Sequence, residues 1–297
     1  MRFVILLCFM MCCGGLIQAQ DSTLLHMLND SIPARSSPVK ATFKAIHIVN
    51  TQTIESPAKQ DLNFIIMHRF GKLNDGGYNF FGLDNATIRL GLDYGLTDRL
   101  AVGVGRSSFE KTFDGYLKYK LLQQTEGGSL SFPISMSVLG ALSHYTLKMP
   151  DKPFLNSKYR TSYTVQAILA RKFSSNLSLQ LTPTWLHYNL TPTTADKNDV
   201  FAGVVSGRYK FTRRMSLTAE YNYLPAGQVE SIEVKNSLSL GVDIETGGHV
   251  FQLIFTNSQA MTEPQYIGRT TGSWGKGDIY FGFNVSRNFS LGRKKKW

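Results

Sequence analysis

The sequence predicts an all-β chain, an antiparallel transmembrane β-barrel of the outer membrane with about 12 strands, and three observations carry that expectation. First, apolar and polar residues alternate with period two. In the stretch 86–106, Ile88, Leu90, Leu92 and Tyr94 share one face, and Thr87, Arg89, Gly91 and Asp93 share the other. Second, that polar face is crowded with glycine and isolated charges. A soluble sheet would turn it to water, but here a lumen suits it better and the apolar face is assigned to lipid. Third, short and long connections alternate along the chain, as they do between the two rims of an outer-membrane barrel.

Residues 1–19 read as a secretory signal. Arg2 is the early positive charge, 3–17 is an uncharged run, and Ala19 is the small residue before a polar start. The run is too short to cross a membrane comfortably as a helix. An acylated Cys12 or Cys13 is the competing reading, against which stand Met10 and Met11 where small residues are wanted. Cys8, Cys12 and Cys13 all lie in this signal, so the exported chain has no thiol for a disulfide, a metal or nucleophilic catalysis. The whole chain carries 32 Lys and Arg against 21 Asp and Glu, a net +11 that falls by one unit when Arg2 is removed. Such a balance suits nucleic acid, an anionic membrane surface or anionic solutes, and export leaves the last two.

Residues 20–58 form a polar, Pro- and Ser-containing periplasmic segment, within which 41–57 has strand-forming character and ends at Pro57. It is kept out of the wall as a segment that lies in the periplasm, pairs with the rim or plugs the lumen. The barrel itself is expected over 59–292, followed by a basic tail, 293–297. Its strands are read at 61–70, 86–96, 99–109, 111–122, 131–148, 159–173, 177–190, 200–211, 215–225, 237–246, 249–260 and 278–291. Short connections follow the second, sixth, eighth and tenth strands. Longer ones follow the odd-numbered strands, except at Glu110, where a tight hairpin is expected. This register puts both ends of the strand series in the periplasm. Counting 41–57 as a strand gives the alternative of 14, and a soluble β-sandwich is the rival architecture.

Trp185, Tyr188, Tyr209, Phe211, Tyr221, Tyr223, Tyr280 and Phe289 cluster towards strand ends, as interfacial girdles do. Phe289 is taken as the last wall aromatic, the feature read by a barrel-assembly machinery.

Two stretches, ATFKAIHIVNTQTIESP at 41–57 and the longer 64–122, carry a resemblance, most specifically over HRFGKLNDG, FGLDNATIRLGLDYGLTDRL and GRSSFEKTFDGYLKYK. They resemble the uncharacterised Bacteroidota outer-membrane β-barrel family, a domain of unknown function. The resemblance implies an outer-membrane location and a barrel fold, and it brings no catalytic residue.

The chemistry lies on the inward parity. Arg69, Arg89, Lys118, Lys120, Arg208 and Lys210 fall there, with Asp93, Glu220 and Asp243 opposing them. In a water-filled lumen that excess of cations favours small anionic solutes, and nearer a rim it suits lipopolysaccharide phosphates. In a narrow barrel the same charges pair across the lumen and fill it. The resulting expectation is a passive, porin-like pore, with a non-conducting accessory barrel that binds a periplasmic partner as the alternative. No enzyme and no cofactor are expected. His-x-Ser does not occur, and His144 and His187 read as interfacial residues. His68 is assigned a hydrogen bond at the rim. The six histidines show no paired ligand spacing, and Gly71 to Asn85 lacks the alternating ligands of a calcium loop. That loop's Phe80 and Phe81 are expected to tuck into the barrel mouth, and 268–277 reads as a mobile extracellular loop.

Overall fold

Twelve strands form where the alternation is strict, and they close on themselves. They are β1 (Asp61–Lys72), β2 (Ala86–Gly95), β3 (Leu100–Ser107), β4 (Thr112–Leu122), β5 (Ser135–Tyr145), β6 (Thr161–Lys172), β7 (Leu177–Tyr188), β8 (Asp199–Lys210), β9 (Met215–Tyr223), β10 (Ser237–Glu245), β11 (His249–Thr256) and β12 (Tyr280–Ser290). Each pairs antiparallel with its neighbours in sequence. The ring is completed by β12 on β1, where Phe283 faces His68 and Arg287 faces Phe64. The computed structural model describes residues 36–127 and 131–292. The signal 1–19 and the tail 293–297 lie outside the described residues, as does the segment 20–58 before residue 36. The strands belong to one compact unit, Pro38–Glu126 with Phe132–Trp297. Of a second unit, Met1–Ser37 with Gly127–Ser131, only residues 36, 37, 127 and 131 are described.

Outward positions are apolar and exposed, for instance Leu90 at 45% and Leu117 at 51%. Inward positions are polar and buried, among them Ser137, Gln166, Thr182, Ser239 and Asn284. This inversion is stable only with lipid outside, because hydrocarbon cannot satisfy backbone polar groups and a closed ladder leaves none of them open. Among the described residues no helix is long and apolar enough to cross a membrane.

One rim carries tight turns that are closed by hydroxyl side chains. Thr97 Oγ1 accepts from Leu100 N at 2.9 Å, Ser174 Oγ from Leu177 N at 3.1 Å and Thr212 Oγ1 from Met215 N at 2.9 Å. A Ser or Thr three residues before the returning strand substitutes for a backbone acceptor in such turns. Both ends of the strand series lie at this turn rim. The opposite, loop rim carries 146–160, 189–198, 224–236 and 257–279, together with the tight Phe109–Lys111 turn.

Several loop and aromatic expectations need correction. Phe80 and Phe81 are 60% and 56% exposed rather than tucked into the mouth. Both sit at positive φ, +45° and +53°. The loop expected at 268–277 is partly packed, with Gly268, Thr270 and Gly272 buried and Asn257 Nδ2 donating to Gly272 O at 2.8 Å. The residues before it in the 257–279 connection fold inward as a short helix α1 (Glu263–Gly268) with Pro264 to Gly268 buried. Tyr188 belongs to no girdle; it faces inward, and its hydroxyl donates to Pro264 O at 2.6 Å. His68 makes no rim hydrogen bond through Nδ1. Its ring stacks on Phe283 at 4.9 Å, inside an outward aromatic cluster that also holds Phe70.

Candidate functional site

The lumen is built by the inward parity of all the strands, and glycine shapes it as much as charge does. A Cβ on Gly103 would sit 2.1 Å from the Tyr116 ring, and one on Gly105 would sit 2.4 Å from the Arg89 guanidinium. Because the inward positions Gly103 and Gly105 of β3 carry no side chain, Arg89 of β2 reaches across it to β4. Its Nε donates to Asp114 Oδ1 at 2.9 Å, and its Nη2 makes a second, shorter bond to Oδ2. Tyr116 reaches back the other way, donating to Asp93 Oδ1 at 2.8 Å, while Asn63 donates to Asp93 Oδ2 at 2.9 Å.

The space inside these side chains is occupied by the chain itself. Residues 42–54 are buried except for Lys44 and turn back on themselves, with Ile48 N donating to Thr51 O at 3.0 Å and Thr53 N to Ile46 O at 2.7 Å. This hairpin joins no wall ladder. Wall side chains serve its backbone instead. Glu220 Oε2 accepts from Val49 N, Asn50 N and Thr51 N at 3.2, 3.1 and 2.9 Å. Gln180 accepts from Ile54 N at 3.0 Å and donates to Gln52 O at 2.8 Å. Gln252 donates to Ile48 O at 2.7 Å and Asn284 to Val49 O at 2.9 Å. Lys118 Nζ donates to Gln52 Oε1 at 3.0 Å, to Thr53 O at 3.2 Å and to Glu55 O. Arg69 donates to Asn50 Oδ1 at 3.0 Å and to Asn284 Oδ1 at 2.9 Å. Apolar residues complete the fit, with Phe43, Ile48, Val49 and Ile54 clustering against Tyr116, Leu139, Ile168 and Ile254.

From the loop rim, α1 descends to meet the hairpin. Tyr266 is fully buried, and its hydroxyl lies 3.2 Å from Thr51 Oγ1. The helix is fixed at both ends. Gln265 donates to Glu110 Oε2 at 2.7 Å and to Thr112 Oγ1 at 3.0 Å, and Arg269 pairs with Glu110 at 3.1 Å. Gly268 is required there, since a Cβ would stand 2.3 Å from the Tyr188 hydroxyl. Between hairpin and helix, a cavity lined in part by His47, Arg89, Asp114 and Glu263 measures about 10 Å³, room for about one water.

All nine charges read from the sequence lie on the inward face, but they do not form a free cationic ladder. Arg69, Asp93, Lys118 and Glu220 are in the central network with the hairpin and its supports. Arg89 is paired with Asp114. Arg208 bonds Ser216 Oγ at 2.9 Å and Glu245, to which Lys44 also pairs at 3.4 Å. Asp243 accepts from Gln252 at 3.0 Å, while Lys120 and Lys210 stand half-buried near the turn rim. The sequence reading missed Asp114 and Glu245. Both share inward parity with residues it did select, Lys118 and Asp243, so the signal was present.

Outside the lumen, His144 Nδ1 lies 2.9 Å from Thr161 Oγ1, and that hydroxyl also donates to Ser157 O at 2.9 Å. His187 Nδ1 and Trp185 Nε1 share Asp199 Oδ1, at 2.9 and 3.1 Å. Among the described residues no group of three His, Cys, Asp or Glu converges as a metal site would require.

A family model described as "Membrane bound beta barrel domain (DUF5777)" matches residues 43–289. No curated protein matches the chain. Among solved structures, the NanC porin is similar at 9% identity and a TM-score of 0.48, over 77% of this chain and 100% of its own. The COG4313 outer membrane channel from Pseudomonas putida F1 is similar at 14% identity and 0.46, over 79% and 97%. Outer membrane phospholipase A from Escherichia coli is similar at 11% identity and 0.43, over 76% and 92%. Likenesses this distant carry neither cargo nor chemistry over to the present chain.

Proposed function

The chain belongs to the family of membrane bound beta barrel domains, and from that premise we propose that it is a passive outer-membrane pore for small solutes, shut at rest by its own residues 42–54. The observation that supports this reading is how the hairpin is held. Side chains of β1, β4, β7, β9, β11 and β12 bind its backbone or side chains, whereas the wall closes its ladder without it. Withdrawing the hairpin therefore breaks no inter-strand pairing and leaves the barrel closed.

Withdrawal would also change the lining. Arg69 and Lys118 would lose their hairpin partners, and so would Glu220, while the Arg89–Asp114 and Arg208–Glu245 pairs would stay neutral. With Lys120 and Lys210 near the turn rim, the open lumen keeps a small cationic excess and a weak preference for anions. The orientation that suits this reading has the turn rim in the periplasm, lipid and lipopolysaccharide around the wall, and assembly by the barrel-assembly machinery.

Swelling of proteoliposomes in small sugars and small carboxylates tests it. Barrels lacking residues 21–57 should swell faster than the full chain, and equal, background swelling of both would refute the pore.

A second reading rests on the apolar contacts. Hairpin withdrawal would wet Leu139, Ile168 and Ile254, a cost that favours a permanently filled accessory barrel whose N-terminal residues bind a periplasmic partner. Loss of a partner on deletion of 21–57, without any gain in swelling, would select it.

A further inference from the structure

At the loop rim a cavity of 630 Å³ opens between the 146–160, 189–198 and 224–236 loops, floored by Tyr188, Gly268 and Arg269. Its volume lies within the range of small-molecule sites, about 300–1,000 Å³. Its walls are mainly apolar, from Met149, Phe154, Leu155, Leu190, Val229 and Ile232.

Four charged groups of the lining besides Arg269 decide what such a cavity would hold. The two carboxylates are already engaged. Asp196 Oδ1 accepts from Glu230 N at 2.7 Å and Ser231 N at 2.9 Å, and its Oδ2 accepts from Thr193 N at 3.0 Å and Thr193 Oγ1 at 2.9 Å. Burial would raise this carboxyl, but the Ser231 and Glu230 donors hold it well below its ordinary value, so it serves as an ionised clasp between two loops. Glu110 is held by Arg269 at 3.1 Å and Gln265 at 2.7 Å. The amines of Lys152 and Lys197, by contrast, have no hydrogen-bond or ion-pair partner among the described residues.

We propose that this cavity is a binding site for a small amphipathic anion, an aromatic or branched aliphatic carboxylate, whose apolar body lies on Phe154, Leu190 and Ile232 while Lys152 and Lys197 hold its charge. Apolar walls supply the contact area, and the two lining amines select the sign of the charge. A cation of the same shape would meet two like charges, and a neutral analogue would leave both amines unanswered. Arg269 does not compete for the ligand, because Glu110 holds it on the floor. The site lies outside the hairpin, so binding stands apart from conduction and is measurable on a barrel that passes nothing.

The test is calorimetric titration of the full chain in lipid nanodiscs with indole-3-acetate and with neutral indole-3-acetamide, against empty nanodiscs. Saturable binding of indole-3-acetate is expected, at least tenfold tighter than the amide. The double variant Lys152→Gln, Lys197→Gln should erase that preference while retaining weak binding of both. Leu190→Asp should weaken both probes. Absence of saturable binding by the anion overturns the proposal, and so does equal binding of the two probes that ignores the lysine pair.

Discussion

Glu220 and Thr51 lie far apart in sequence, on β9 and in the inner hairpin, yet the carboxylate Oε2 of one accepts the backbone N–H of the other at 2.9 Å. The same oxygen takes Val49 N and Asn50 N, so one buried carboxylate gathers the whole hairpin tip. Hydrogen bonds to an ionised acceptor are stronger than those to a neutral one. Glu220→Gln should therefore loosen the tip by about 1–2 kcal/mol, a five- to thirty-fold rise in the withdrawn population. Maleimide labelling reads this in an Ile46→Cys background, since the natural cysteines lie within residues 1–19. Equal labelling rates with and without Glu220→Gln would show that the carboxylate does not retain the hairpin.

The Arg89–Asp114 pair should behave as a buried ion pair that tolerates loss of both charges better than loss of one. Asp114→Asn leaves the guanidinium without its counter-charge and should cost about 3 kcal/mol or more. Asp114→Leu combined with Arg89→Met should recover much of that. The midpoint of denaturant unfolding, followed by heat-modifiable gel migration, measures both variants.

Gly268→Ala should push α1 off its floor, because the new methyl meets the Tyr188 hydroxyl. Overpacking of this kind costs about 1–3 kcal/mol. The clash is with the hydroxyl oxygen, so adding Tyr188→Phe should restore part of the loss. Protease cleavage within 257–279 should be fastest in the single variant and slower in the double.

Acidity should seat the same loop. Desolvation in the mouth, with the Asp114 charge close by, pushes the Glu263 carboxyl up to about 7 from 4.5, against its own backbone hydrogen bond and the Arg89 charge. The seated loop therefore binds more protons than the released one between these values. Its stability is complete below the lower value, falls as pH rises through the interval, and levels off above the upper one. Proteolysis of 257–279 should be slower at pH 5 than at pH 8, and Glu263→Gln should flatten the difference.

The wall was legible because its determinants are local. Alternation of Leu177, Leu179 and Leu181 against Ser178, Gln180 and Thr182 specifies both a strand and its faces, and Thr97, Ser174 and Thr212 mark the turns between strands. Contacts inside the lumen depend on register across strands, which alternation alone does not convey. Arg89 meets Asp114 two strands away only because β3 presents Gly105 between them. The strand-like character of 41–57 was visible, but its contacts with Glu220 and Gln252 come from strands remote in sequence. Tyr188 shares its strand's inward parity with Leu186, and that parity, rather than its aromatic ring, tells where it points. The polar character of His68 suggests a hydrogen bond, but its neighbours Phe70 and Phe283 offer faces for stacking.

Single-channel conductance in a planar bilayer, under a salt gradient, tests the central claim most directly when the full chain is compared with a barrel lacking residues 21–57. The account predicts that the full chain is silent or opens rarely. The shortened barrel should give steady openings with a weak anion preference that falls when Arg69 and Lys118 are both replaced by Gln. A shortened barrel that inserts, migrates as a folded species and still passes no current would contradict the account.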